Sequence, residues 1–150
     1  MSRIDFYHLQ KQTLEDVLPK LLEKAYSTSK KIKVKVGNEL RVDFLNSLLW
    51  TYNEQSFLPH GTNKDGFTEM QPIYLSSDDN LPNKAQYLFL VDGATISTDI
   101  LLKFERVFNV FSSHNNETLI KAREFWKELK KENIELHYWQ QDNSGKWVEK

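Results

Sequence analysis

The chain has 150 residues, with 20 basic against 21 acidic side chains, a formal net charge of −1 and no cysteine. That length suits a single domain, residues 1–150, which can bury about two thirds of the surface its unfolded form exposes. The missing cysteines exclude disulfides, thiolate nucleophiles and Cys-ligated zinc, and the charge balance argues against gripping nucleic acid by general electrostatic attraction, so any basic surface has to be local.

In chain order, residues 4–9 alternate apolar and polar as a first strand. A helix over 13–27 follows, with Thr13 as N-cap, Asp16 closing a short capping box, and Leu14, Val17, Leu18, Leu21, Leu22 and Ala25 as its inner face. Pro19 falls inside that pattern and predicts a kink or a later start. Residues 31–36 form a strict period-2 strand with Ile32, Val34 and Val36 inward. Its lysines, Lys31, Lys33 and Lys35, point outward as on a half-exposed or edge strand guarded against aggregation. Residues 38–50 read as a second helix with Leu40, Phe44, Leu45, Leu48 and Leu49 inward.

Residues 51–72 lose periodicity and read as a turn-rich loop. A short strand at 72–75, a polar loop, and a continuous apolar run at 87–91 follow, the run suiting a strand covered on both faces. A short helical piece at 98–103 precedes a strand at 106–111, and a long amphipathic helix over 116–133 precedes a strand at 134–140. Alternating strands and helices predict an α/β fold, a three-layer α/β/α arrangement around a mostly parallel central sheet.

The long helix carries the most informative pattern. At about 100° per residue, Thr118, Ala122, Phe125, Trp126, Leu129 and Asn133 share one side. Arg123, Lys127 and Lys130 form a basic row beside Trp126, while Glu117, Glu124, Glu128 and Glu132 gather opposite. Such a flank is either simply solvated or a docking site for an acidic, partly apolar ligand.

Catalytic and cofactor signatures are missing. The glycines are scattered, so nothing resembles the closely spaced glycines that let backbone N–H groups approach phosphate. His8, His60, His114 and His137 lack metal-ligand spacing, Asp78-Asp79 reads as a turn, and no serine occupies a nucleophile elbow. No metal and no cofactor is expected. No apolar run has signal-peptide character or the roughly 20 residues of a bilayer span, which leads us to expect a soluble, cytoplasmic protein.

Collinear motifs along nearly the whole chain resemble the chi subunit of bacterial DNA polymerase III holoenzyme. They are Phe6-Tyr7-His8-Leu9, Leu49-Trp50 with Ser56-Phe57-Leu58-Pro59-His60, Pro72-Ile73, Leu90-Val91-Asp92-Gly93, Phe104-Glu105-Arg106-Val107, and Ala122-Arg123-Glu124 ahead of Trp126-Lys127. The resemblance implies a nucleotide-binding-like fold lacking the phosphate loop and a non-catalytic accessory protein of the clamp-loader assembly. It also implies two partners, the psi subunit and the acidic, phenylalanine-ending C-terminal tail of single-stranded DNA-binding protein, with DNA reached indirectly. Carried over by position, the tail site comprises Arg123, Trp126, Lys127, Lys130 and Phe111, and the psi contact comprises Trp50, Phe57 and Pro59. Lys130 stands where an arginine is usual in that family. Two rival readings remain at this level: a direct single-stranded nucleic-acid binder using the lysines of residues 31–35, and a nucleotide-dependent enzyme on a similar fold.

Overall fold

The computed structural model describes residues 2–53, 58–113 and 116–150. Its core is a seven-stranded sheet formed by β1 (Arg3–Leu9), β2 (Ile32–Val36), β3 (Ile73–Ser76), β4 (Tyr87–Val91), β5 (Arg106–Ser112), β6 (Glu135–Gln141) and β7 (Trp147–Glu149), in spatial order β3-β2-β4-β5-β1-β6-β7. Every pairing is parallel except that of β6 with β7. The chain steps one way across the sheet from β1 through β2 to β3, then the other way through β4, β5 and β6. Right-handed crossovers therefore send the helices of the two halves to opposite faces.

α1 (Leu14–Tyr26) and α2 (Glu39–Thr51) cover one face, where Leu18, Leu22 and Leu45 pack on Val34, Phe89 and Val110. α3 (Thr98–Leu101) and α4 (Asn116–Lys130) cover the other, where Leu101, Ala122 and Leu129 pack on Ile4, Phe6, Leu88 and Phe111. These are the expected three layers.

Local details correct three expectations. α1 begins at Leu14 behind the Thr13–Asp16 capping box, so Pro19 sits buried within the helix and does not delay its start. In α2 the buried residues are Val42, Leu45 and Leu49, whereas Leu40 and Phe44 are 84% and 50% exposed. Apolar residues surround that helix, so periodicity could not choose its inner face. β2 is not an edge but lies between β3 and β4. Its Lys33 is almost wholly buried, with its ammonium donating to Ser76 Oγ and to the Asn80 carbonyl at 2.8 Å, while Asp78 Oδ1 stands at 3.5 Å. Lys35 bonds Asp79 and the Thr95 carbonyl, both at 2.5 Å.

The last residues extend the sheet. Asp142 Oδ1 accepts from the Ser144 and Lys146 backbone N–H groups, which turns the chain so that β7 returns against β6.

Candidate functional site

α4 lies over β5, β1 and β6, with Ala122 and Leu129 as its only buried positions among the described residues. At Ala122 the small side chain leaves a hollow of about 220 Å³ between helix and sheet, lined by Phe111, Ala122, Arg123, Trp126, Lys127 and Tyr138. Phe111 comes from β5 and Tyr138 from β6, so three elements meet there.

The walls are aromatic and mutually braced. The Trp126 ring meets Phe6 and Tyr138 edge-on at centroid distances of 5.1 and 5.7 Å. Phe111 meets Tyr138 at 6.1 Å and stacks on His8 at 4.8 Å. The Tyr138 hydroxyl shares a 2.7 Å hydrogen bond with His8 Nδ1, which sets the phenol's direction. His8 Nε2 is buried without a partner among the described residues. Burial, then the charge of Arg123, hold the His8 pKa below its ordinary value, so the ring behind the hollow stays neutral in neutral solution.

At the rim stand two exposed cations, Arg123 and Lys127, one helical turn apart. Lys130 does not line the hollow; its ammonium lies 5.5 Å from the Trp126 ring centre, a cation–π contact that supports the indole from outside. The arrangement is an apolar slot closed by rings and bordered by positive charge. It can hold an aromatic side chain and pair an adjoining carboxylate.

Phe111, Arg123, Trp126 and Lys127, grouped by the family resemblance, meet around one hollow, whose wall Tyr138 completes with His8 behind it, two residues that grouping did not include. Period-2 alternation within β6 held the signal for Tyr138. Leu136 and Tyr138 share the face under α4, and the neighbouring Trp139 points to the other.

The residues assigned to the second contact are less gathered. Trp50 is half exposed on α2, its ring 4.5 Å from that of His60, and Pro59 is partly buried nearby in sequence. Phe57 lies outside the described residues, as does His114. Among the described residues no group of His, Cys, Asp or Glu is arranged to hold a metal ion, and no helix is long and apolar enough to cross a membrane.

The first strand-to-helix turn, where nucleotide-binding relatives of this architecture cradle phosphate, is Gln10-Lys11-Gln12-Thr13 and has no glycine. Its backbone N–H groups are already engaged: Gln141 Oε1 accepts from Gln10, Lys11 and Gln12 at 3.2, 3.1 and 3.3 Å. A side-chain carbonyl from β6 thus takes up three of the turn's backbone donors.

Residues 1–137 match the sequence profile described as DNA polymerase III chi subunit, HolC. A relative from Rickettsia prowazekii (strain Madrid E), named probable DNA polymerase III subunit chi, is 27% identical over 132 residues, covering 83% of this chain and 80% of that protein. With the match running over residues 1–137, from β1 to the start of β6, the chain belongs to the DNA polymerase III chi subunit family.

Proposed function

We propose that the protein is a non-catalytic adaptor in DNA replication that links the clamp-loader assembly, through a psi subunit, to the acidic C-terminal tail of single-stranded DNA-binding protein. The observation that carries the tail contact is the hollow under α4, whose ring-lined interior and two rim cations match an acidic peptide ending in phenylalanine. Its volume of about 220 Å³ exceeds the roughly 150 Å³ that accommodates a benzene ring in an apolar protein cavity. The terminal ring enters between Phe111, Trp126 and Tyr138. The terminal carboxylate and preceding aspartates pair with Arg123 and Lys127.

Each rim pair contributes about 0.2–1 kcal/mol, so the buried ring dominates affinity and the cations set association rate and salt dependence. Lys130 acts through Trp126. The second partner is assigned to the exposed side of α2 around Trp50 and Pro59, with Phe57 as its third member by position. The exposed Leu40 and Phe44 on the same helix extend the apolar surface available there.

Calorimetric titration with a short acidic peptide ending in Pro-Phe tests the tail site. Lys127→Glu turns attraction into repulsion at the rim and should weaken binding about tenfold or more. Because Lys127 is exposed, the melting temperature should stay unchanged. A wild-type protein that ignores the peptide, or a charge reversal without effect, overturns the reading.

A further inference from the structure

On the sheet face opposite the hollow, a second depression of about 350 Å³ opens between α1 and the β6–β7 end of the sheet. Its lining includes Arg3, Tyr7, Lys24, Arg106, Trp139 and Trp147. The aromatic rings form a continuous row that emerges from the core. Phe89 stacks on Phe108 at 4.4 Å, Phe108 lies near-parallel to Tyr7 at 6.2 Å, and Tyr7 lies near-parallel to Trp139 at 6.3 Å with an interplanar angle of 11°. Trp147 meets Tyr7 edge-on at 5.0 Å. The buried end of this row is ordinary core, but Tyr7, Trp139 and Trp147 are only partly covered. The Trp139 indole N–H donates to Asp5 Oδ1 at 3.2 Å, which fixes that ring's orientation before any ligand arrives.

The charged side chains that line the depression are all basic. Arg3 and Arg106 share one fully buried carboxylate, Asp5, at 3.1 and 2.5 Å, and Lys24 on α1 adds a third cation to the rim. No carboxylate lines the depression. Two carboxylates border the depression: Glu149, the cross-strand partner of Trp139, and Glu135, which stands 3.6 Å from Arg3, and both bond His137. A near-neutral chain thus concentrates cations and partly open indoles at one place.

We propose that this face binds single-stranded nucleic acid, with bases stacking on Trp147 and Trp139 and phosphates pairing with Lys24, Arg3 and Arg106. Partly exposed rings in a lining whose charged side chains are all basic is the chemistry that a base joined to a phosphate requires, and it is sequence-tolerant because every base has a stacking face. The lysines of β2 are less accessible, the Lys33 and Lys35 side chains being 2% and 13% exposed against 36% and 32% for Arg3 and Arg106. The site does not depend on the tail reading. Arg3, Asp5 and Tyr7 of β1 point to the α1 side, whereas Phe6 and His8 point to α4.

The test is quenching of intrinsic tryptophan fluorescence by a dT oligonucleotide of about 12 nucleotides at about 50 mM salt. Quenching should saturate, and affinity should fall with salt with a logarithmic slope of roughly −2, for about three phosphates neutralised. Trp147→Ala should weaken binding about fivefold or more. Lys24→Glu, an exposed change, should weaken binding and flatten the salt slope by about 0.7 or more. Saturating acidic Pro-Phe peptide should leave oligonucleotide binding in place. Absence of quenching, unchanged affinity in both variants, or displacement by the peptide would overturn the proposal. Equal affinity for free dTMP would overturn the assignment to a strand.

Discussion

Lys33 shows how a residue's chemistry depends on neighbours far away in sequence. Burial lowers its pKa to about 8, against the raising influence of Asp78, from an ordinary 10.5. The folded state therefore resists carrying this proton. At pH below 8 the lysine is charged in both states and the folded protein bears the full cost of burying it. Between pH 8 and 10.5 the folded state releases the proton first, and the cost is relieved. Melting temperature should accordingly rise across that window in wild type relative to Lys33→Met, in which nothing titrates at this position. Parallel curves would show that the buried ammonium is not the cause. His8 has the same sign at lower pH: because its folded pKa is depressed, it contributes a destabilisation that appears as pH falls below 6.5. Neither shift can be seen in the sequence, where Lys33 is one of three lysines on a regular alternating strand and His8 an isolated imidazole.

At the scale of elements, Gln141 joins the end of β6 to the turn between β1 and α1. Its carbonyl takes three backbone N–H groups, and its amide donates to Gln12 Oε1 at 2.8 Å and to the Gly145 carbonyl at 3.3 Å. The side chain is 3% exposed, so water replaces these bonds poorly. Gln141→Ala should cost about 1–3 kcal/mol in denaturant unfolding, and it should do so without changing binding at the hollow under α4. A loss below about 0.5 kcal/mol would mean that the turn is held by other contacts. α2 and α4 differ instructively in legibility. The inner face of α4 was readable because charged residues restrict its apolar side, and Ala122, Phe125, Trp126 and Leu129 all turned toward the sheet. In α2, Leu40 and Phe44 looked equivalent to Leu45 and Leu49 until the angle of the helix on the sheet selected among them.

The whole molecule is tied together at Asp5, whose carboxylate on β1 accepts from Arg3, from Arg106 of β5 and from the Trp139 indole of β6. Burial alone would raise its pKa, but the hydrogen bonds from Arg106, Arg3 and Trp139 together outweigh that and hold it below the ordinary value. Its contribution is present above the unfolded pKa of 3.8 and is lost as pH falls through the lower folded value. Asp5→Ala leaves two guanidinium groups without their shared partner. With both guanidinium groups about a third exposed, it should destabilise by about 1–3 kcal/mol in urea unfolding, and a loss below about 0.5 kcal/mol would mean that Arg3 and Arg106 simply turn to solvent. This carboxylate also orients Trp139, so the structural anchor and the proposed nucleic-acid face are built from the same residues.

Hydrophobic period and turn chemistry, read from the chain alone, determined the alternation of strands and helices, the apolar central strand at Tyr87–Val91, the capping box at Thr13, and the pairing of Trp126 with a basic row. Those features are local, and local spacing encodes them. Strand order, the interior place of β2, the outward turn of Leu40 and Phe44, and the hollow itself were decided only in the tertiary structure. They depend on which distant residues become neighbours. Phe111, Ala122 and Tyr138 are apart in sequence, and the slot between them exists only because right-handed crossovers bring α4 over β5, β1 and β6.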